Sequence, residues 1–173
     1  MQQLWIFGYG SLMWKPGFEY EAREPAAVQG LHRSLCVKSF VHRGTPEKPG
    51  LVLGLDRGGS CRGLAFRVAA RKWDETIAYL RAREQVTMVY LERVRPVTLL
   101  ASGEKVRAVT YVVDRAHQQY AGVLDPRELV ELVRQGSGIS GHCRDYVLNT
   151  VTHLRDMKIH DHRLEQLVRE LEN

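Results

Sequence analysis

A short apolar run, Leu4-Trp5-Ile6-Phe7, ends abruptly in Gly8-Tyr9-Gly10-Ser11-Leu12. An apolar run of this length, closed off by glycine, reads as a buried strand that stops at a tight turn. Two glycines let the backbone turn sharply and let a ligand approach it, which leaves bare N–H groups at a strand end where an anion or oxyanion can sit. Ser11 adds a hydroxyl, and Tyr9 adds a phenol whose ring can stay in the core while its tip meets a ligand. Two readings stand side by side: a plain turn, or an anion cradle built from residues 8–12.

The remaining punctuation sets the fold class. After the opening strand (Gln3–Phe7), Ala26–Phe40 reads as two short strands or one bent one. Leu51–Asp56 and Cys61–Val68 flank Arg57-Gly58-Gly59-Ser60, which has the composition of a hairpin turn. Val89–Leu100 and Val106–Val113 flank Ala101-Ser102-Gly103-Glu104, a second hairpin. Between the hairpins the spacing predicts a helix from about Arg71 to Glu84, with Trp73, Ile77 and Leu80 on one face. The last third is helical. Asp125-Pro126-Arg127-Glu128 is a start signal, Gly136 a stop, and two further helices follow, one from about Gly141 to Leu154 and one carrying Leu164, Leu167, Val168 and Leu171. Strands first, one crossing helix, then helices: this is α+β, with a mainly antiparallel sheet or small barrel.

With 173 residues, 44% apolar and 26% charged, the chain suits a single domain over residues 1–173 with a real core. No apolar run approaches the ~18 residues of a membrane span, and the start of the chain lacks the pattern of a signal peptide. Three scattered cysteines, Cys36, Cys61 and Cys143, support neither a disulfide framework nor a zinc site, so a reducing cytoplasm is the simplest home. The net charge of +5 suits an acidic small substrate. The basic residues are interleaved with acids and not with aromatics, which argues against a nucleic-acid surface. His153, His160 and His162 lack a third ligand at a recognisable spacing, so no metal is expected.

Extending the helix face Trp73, Ile77, Leu80 by four residues lands on Glu84. A carboxylate there faces the core and sits at a helix C-terminus; desolvation and the dipole both raise its pKa and make it a usable base. Arg83 points about 100° away around the helix. The alternative is a frayed last turn with Glu84 in water. His42-Arg43-Gly44-Thr45-Pro46 with Lys48-Pro49-Gly50 reads either as a solvated loop or as one whose Arg43 pairs with a substrate carboxylate. Gly136-Ser137-Gly138-Ile139-Ser140-Gly141 is either a flexible connector or a set of helix N-terminal amides for an anion. Tyr146, on the apolar side of the following helix, is a core tyrosine or a pocket wall. Cys143 has no partner histidine that would make it a nucleophile.

Together these segments resemble the ChaC-like γ-glutamylcyclotransferases, the glutathione-specific branch, along nearly the whole chain. Phe7-Gly8-Tyr9-Gly10-Ser11-Leu12-Met13-Trp14-Lys15-Pro16 is similar to their opening, and His42 to Gly50 to their second loop. Gly63-Leu64-Ala65-Phe66-Arg67 resembles the strand before their central helix, and Arg83-Glu84 stands where the family places its catalytic Glu. Tyr120 and Gly138 to Tyr146 resemble the C-terminal motif. The chain departs from the family at Cys143 (usually Asn), at Val147 (usually Leu) and in Gln85-Val86-Thr87-Met88, positions that bear on substrate fit.

The resemblance implies a small mixed barrel with flanking helices, and conversion of glutathione to 5-oxoproline and Cys-Gly without metal or cofactor. Glu84 is then the acid/base; Gly8, Tyr9, Gly10, Ser11 and Leu12 hold the glutamyl end, Tyr146 lines the pocket and Arg43 meets the glycine carboxylate. Rival readings are the same cyclisation on another γ-glutamyl compound, and a non-catalytic regulatory module linked to cation transport.

Overall fold

The computed structural model describes residues 4–173. Five strands close into a barrel in the order β1-β3-β2-β4-β5: β1 (Leu4–Gly8), β2 (Ala22–Ser39), β3 (Gly50–Val68), β4 (Tyr90–Leu99) and β5 (Lys105–Val113). β1 runs antiparallel to β3, with Phe7 opposite Ala65 and Gly8 opposite Leu64, and parallel to β5, with Ile6 opposite Val109. The barrel is therefore mixed and mainly antiparallel, as expected. Gln3, which opens the expected first strand, lies outside the described residues.

The chain divides into two compact units, residues 1–34 with 55–114 and residues 35–54 with 115–173. The first holds β1, a single helical turn α1 (Ser11–Trp14), the helix α2 (Trp73–Glu84) and the β4–β5 hairpin. Its apolar cluster is Ile6, Leu12, Val68, Ile77, Leu80, Val109 and Tyr111, with Phe18, Trp73 and Tyr90 against it. Ile77 and Leu80 are the face read from the spacing, so α2 lies on the barrel through the expected stripe. The helix proper starts at Trp73, after a 3-10 turn over Ala70–Lys72. The β4–β5 hairpin closes around Gly103, whose φ of +76° is the left-handed conformation the turn needs.

One expected turn is absent. Residues 57–60 do not reverse the chain; β3 runs through them as one 19-residue strand. Gly58 and Gly59, at φ of +103° and +68°, absorb a local distortion in a continuing strand, and the Gly58 carbonyl bonds to His32 Nδ1 at 3.0 Å. Paired glycines between apolar runs mark positive φ, and a bulge uses that conformation as readily as a hairpin does.

The second unit holds three helices, α3 (Pro126–Gln135), α4 (Cys143–Asp156) and α5 (His162–Glu172), which contact one another pairwise. Asp125 caps α3 by accepting from the Glu128 N–H at 3.0 Å, as the start signal requires, and Asp161 caps α5 in the same way at Leu164. Val133, Val147, Val151, Leu154, Leu164, Leu167, Val168 and Leu171 are buried among them. The end of β2 pairs with residues 119–121 of this unit: Lys38 N–H donates to Gln119 and Ala121 N–H to the Cys36 carbonyl, both at 2.7 Å. No helix among the described residues is long and apolar enough to cross a membrane.

Candidate active site

β1 delivers the Gly-Tyr-Gly-Ser segment to its end by burying Trp5, Ile6 and Phe7, each at most 2% exposed. Gly63 permits a close approach of the two strands. A Cβ on Gly63 would lie 2.1 Å from the Gly8 carbonyl oxygen, so neither strand could sit where it does with alanine there. After Gly10 the chain enters one turn of helix rather than an open loop, with Met13 N–H donating to the Gly10 carbonyl at 2.9 Å and Lys15 N–H to the Ser11 carbonyl at 2.7 Å. The Ser11 and Leu12 N–H groups belong to its first turn and have no acceptor inside the helix. Leu12 is buried in the apolar cluster, so only its backbone is available to a ligand. Ser11 is exposed, and the Tyr9 ring is buried.

The Tyr9 carbonyl is held from below by Arg33. This arginine is itself buried; its Nε donates to Tyr9 O at 2.7 Å and its Nη2 to Arg62 O at 2.6 Å. Sequence reasoning overlooked it, although the signal was present: Arg33 occupies the alternate, inward position between Leu31 and Leu35 on β2.

Glu84 is where the helix count placed it, at the last residue of α2, with 17% of its side chain exposed. Burial pushes its carboxyl above the ordinary range, against the opposing charge of Arg83. The expectation that Arg83 points away is wrong. The arginine folds back beside its neighbour, with Nε 3.4 Å from Glu84 Oε1. Its Nη1 donates to the Lys15 carbonyl (2.7 Å), the Pro16 carbonyl (3.1 Å) and the Tyr79 hydroxyl (3.1 Å). Its Nη2 donates to Ser11 Oγ at 3.0 Å. One guanidinium thus ties the candidate base to the strand-end turn. A long flexible side chain reaches acceptors far from its helical direction, so a helical wheel locates its Cβ and not its head group.

Tyr111, on β5, belongs to the same cluster. Its hydroxyl donates to Glu92 Oε1 at 2.8 Å, and Arg81 of α2 grips Glu92 in a bidentate pair at 3.0 and 2.9 Å. The Arg81 hydrogen bonds hold the Glu92 carboxyl low, while burial first and the Glu92 hydrogen bond second push the Tyr111 phenol high. Tyr111 therefore stays protonated, and the carboxylate beside it stays ionised.

In the second unit the structure brings Arg43 and Tyr146 together. The guanidinium carbon lies 5.6 Å from the ring centroid, a cation–π distance, and Nη1 donates to the His142 carbonyl at 3.1 Å. The Tyr146 hydroxyl accepts from the Leu53 N–H at 3.0 Å, which fixes the ring. Residues 136–141 are neither a flexible connector nor a row of free amides. They form a two-residue ladder, β6 (Ser137–Gly138) with β7 (Gly141–His142). The Ile139 and Ser140 N–H groups donate to the Val41 and His42 carbonyls, both at 2.9 Å. The glycines make this clasp possible: a Cβ on Gly138 would lie 2.1 Å from Val41 O, and one on Gly136 2.5 Å from Arg43 O.

Cys143, which differs from the resembled pattern, is fully buried. Its thiol donates to Leu51 O at 3.1 Å and accepts from Leu51 N–H at 3.3 Å. Burial pushes the thiol pKa up, so this cysteine is a structural hydrogen-bonding group and not a nucleophile. A cavity of about 360 Å³ lined by Phe18, Glu19, Tyr20, Glu21, Ala69, Arg71 and Lys72 contains none of the residues singled out from the sequence. Among the described residues no three His, Cys, Asp or Glu side chains are grouped so as to hold a metal ion.

The family model of ChaC-like proteins matches residues 4–173. A glutathione-specific gamma-glutamylcyclotransferase of Escherichia coli (strain K12) is 30% identical over 165 residues, covering 95% of this chain and 71% of that protein. Glutathione-specific gamma-glutamylcyclotransferase 1 of Danio rerio is 34% identical over 157 residues, covering 88% and 79%. The crystal structure of a yeast gamma-glutamylcyclotransferase specific to glutathione superposes with a TM-score of 0.86, over 99% of this chain and 96% of that one, at 23% identity, which establishes the shared fold.

Proposed function

The chain belongs to the ChaC-like protein family, and from that premise we propose that it is a γ-glutamylcyclotransferase that cleaves glutathione into 5-oxoproline and Cys-Gly. The observation that carries the chemistry is Glu84: a carboxylate kept on the buried face of α2, with its pKa raised by burial and a guanidinium tying it to the strand-end turn. A binding module has no use for a desolvated carboxylate there, since keeping one costs stability.

The substrate carries its own nucleophile. The glutamyl α-amine attacks the γ-amide carbon, a carbon–nitrogen bond forms, and a five-membered ring closes. Near neutral pH that amine is mostly protonated, so a base must free it. Glu84 takes one ammonium proton to free the amine and passes it to the cysteinyl nitrogen as the γ-amide bond breaks. It then takes the second proton from the new ring nitrogen, and Cys-Gly leaves carrying both as its ammonium. A single carboxylate with a raised pKa serves both steps in turn. The Ser11 and Leu12 N–H groups and the Ser11 hydroxyl hold the α-carboxylate or the oxyanion of the tetrahedral intermediate. Gly8 and Gly10 let the ligand reach that backbone, and the buried Tyr9 ring supports it from within. Folding the glutamyl group into its cyclising conformer supplies a proximity gain.

At the other end of the substrate, Arg43 meets the glycine carboxylate and Tyr146 lines the pocket. The stack of one on the other supports this pairing of roles. The reaction calls for no metal or cofactor, the partner is a small molecule, and residues 1–173 act as a single domain in the cytoplasm, where glutathione is plentiful. The test uses water enriched in the heavy oxygen isotope. Intramolecular attack gives 5-oxoproline and Cys-Gly in equal amounts, with no heavy oxygen in either. Glutamate carrying heavy oxygen would mean hydrolysis and would overturn the mechanism.

A further inference from the structure

Arg83 has a part in this site that its sequence position alone does not suggest. Its three nitrogens are all engaged: Nε with Glu84, Nη1 with the Lys15 and Pro16 carbonyls and the Tyr79 hydroxyl, and Nη2 with Ser11 Oγ. Only the planar, five-donor fork of an arginine spans acceptors on three sides at once; the single nitrogen of a lysine cannot. Tyr79, one helical turn before Arg83, reinforces the grip. It packs so close to Gly17 that a Cβ there would lie 2.0 Å from its hydroxyl oxygen. The end of α2 and residues 11–17 are therefore locked through one guanidinium.

We infer that Arg83 is the positioning residue of this site, setting where the Glu84 carboxylate lies and which way the Ser11 hydroxyl donates. This rests on the reading of Glu84 as acid/base. The Ser11 hydroxyl has one proton and two lone pairs. Because a lone pair accepts from Arg83, the proton is directed away from the guanidinium and is free of it to donate elsewhere. The same guanidinium opposes the desolvation of Glu84, so the carboxylate form persists at a lower pH than burial alone would allow. Among the described residues Glu84 also acts on Tyr111 of β5, whose phenol it raises in part, and Tyr111 in turn donates to Glu92 of the Glu92–Arg81 pair of β4 and α2. Tyr111 stays neutral and the pair is mutually compensated, so among the described residues Arg83 is the cation that acts on the base.

The experiment compares wild type with Arg83→Gln and Arg83→Lys. It measures pH profiles of 5-oxoproline release and, separately, titrates the Glu84 carboxyl by carbon NMR. In both variants kcat falls by about 100-fold, the scale of a small misplacement of a catalytic group, with a much smaller change in KM. In Arg83→Gln the acid limb of the profile and the NMR midpoint both move to higher pH, because the opposing charge is gone. In Arg83→Lys, which keeps the charge but not the fork, both stay near wild type while kcat is still lost. An unmoved NMR midpoint in folded Arg83→Gln, or wild-type kcat in Arg83→Lys, overturns the assignment. Should the glutamine variant not fold, the lysine variant decides alone. Should wild type release no 5-oxoproline, the substrate reading fails, and the NMR titration still decides whether Arg83 controls Glu84.

Discussion

Replacing Glu84 by glutamine exchanges a largely buried carboxylate for a neutral group of nearly the same shape, and its effects on rate and on stability should have opposite signs. Burial is the larger influence on Glu84 and Arg83 the smaller, so folding raises the carboxyl above its unfolded pKa. A carboxyl whose folded pKa lies above its unfolded value, here 4.5, stabilises the fold fully below that value. That contribution is lost as pH rises through the folded pKa. At neutral pH the wild-type protein therefore carries the cost of an ionised, desolvated carboxylate, which the variant lacks. One pKa unit corresponds to about 1.4 kcal/mol, and a chain of this size shifts in Tm by roughly 2–4 °C per kcal/mol, so each unit of elevation reads as roughly 3–6 °C. The lost contact with Arg83 acts the other way. Burial is the larger of the two influences on the carboxyl and outweighs that contact. The variant should melt higher than wild type at neutral pH, the gap should close as pH falls toward 4.5, and turnover should drop at least ~100-fold. Differential scanning fluorimetry across pH, run beside a 5-oxoproline assay, reads both. A variant that melts lower at neutral pH, or that turns over like wild type, would refute the reasoning.

Arg43→Gln should raise KM for glutathione more than for γ-glutamyl amino acids that lack the glycine carboxylate; equal effects on both substrates remove Arg43 from that role. Gly136→Ala should destabilise by about 1–3 kcal/mol, the range for overpacking. Its Cβ would meet backbone, Arg43 O at 2.5 Å and Gly50 Cα at 2.6 Å, and an unchanged denaturant midpoint would show that the clasp yields freely. Calorimetry should show one unfolding transition with equal calorimetric and van't Hoff enthalpies if residues 1–173 act as one domain; two resolved transitions would mean that the two units fold separately.

What the sequence revealed and what it hid follow from the range of the forces involved. Periodicity located α2, its buried stripe and Glu84, because the core-facing side of a helix is a local pattern. The Asp125 cap and the Gly103 turn were legible for the same reason: one residue type meets one backbone need. Gly58-Gly59 does not announce its fate locally, because paired glycines signal positive φ and not what the chain does next, and β3 runs on through them. Segment 136–141 is opaque in the sequence because its partner is a loop nearly a hundred residues earlier, and only tertiary pairing consumes the Ile139 and Ser140 amides. Helical spacing gives the direction of the Arg83 backbone and not the position of its guanidinium, which folds back to Glu84 and Ser11. The buried Arg33 left a trace in the alternation of β2, yet its acceptor, the Tyr9 carbonyl, becomes visible only in the fold.

The most direct test of the function is to incubate the purified chain with a panel of γ-glutamyl compounds (glutathione, γ-glutamyl amino acids and γ-glutamylamines) and to detect 5-oxoproline by mass. The site described here predicts 5-oxoproline from glutathione, matched by Cys-Gly, at a higher kcat/KM than from any other member. Preferred turnover of another member would keep the chemistry and remove glutathione as the substrate. Absence of 5-oxoproline from every member would contradict the assignment of Glu84 as the acid/base of a cyclotransferase.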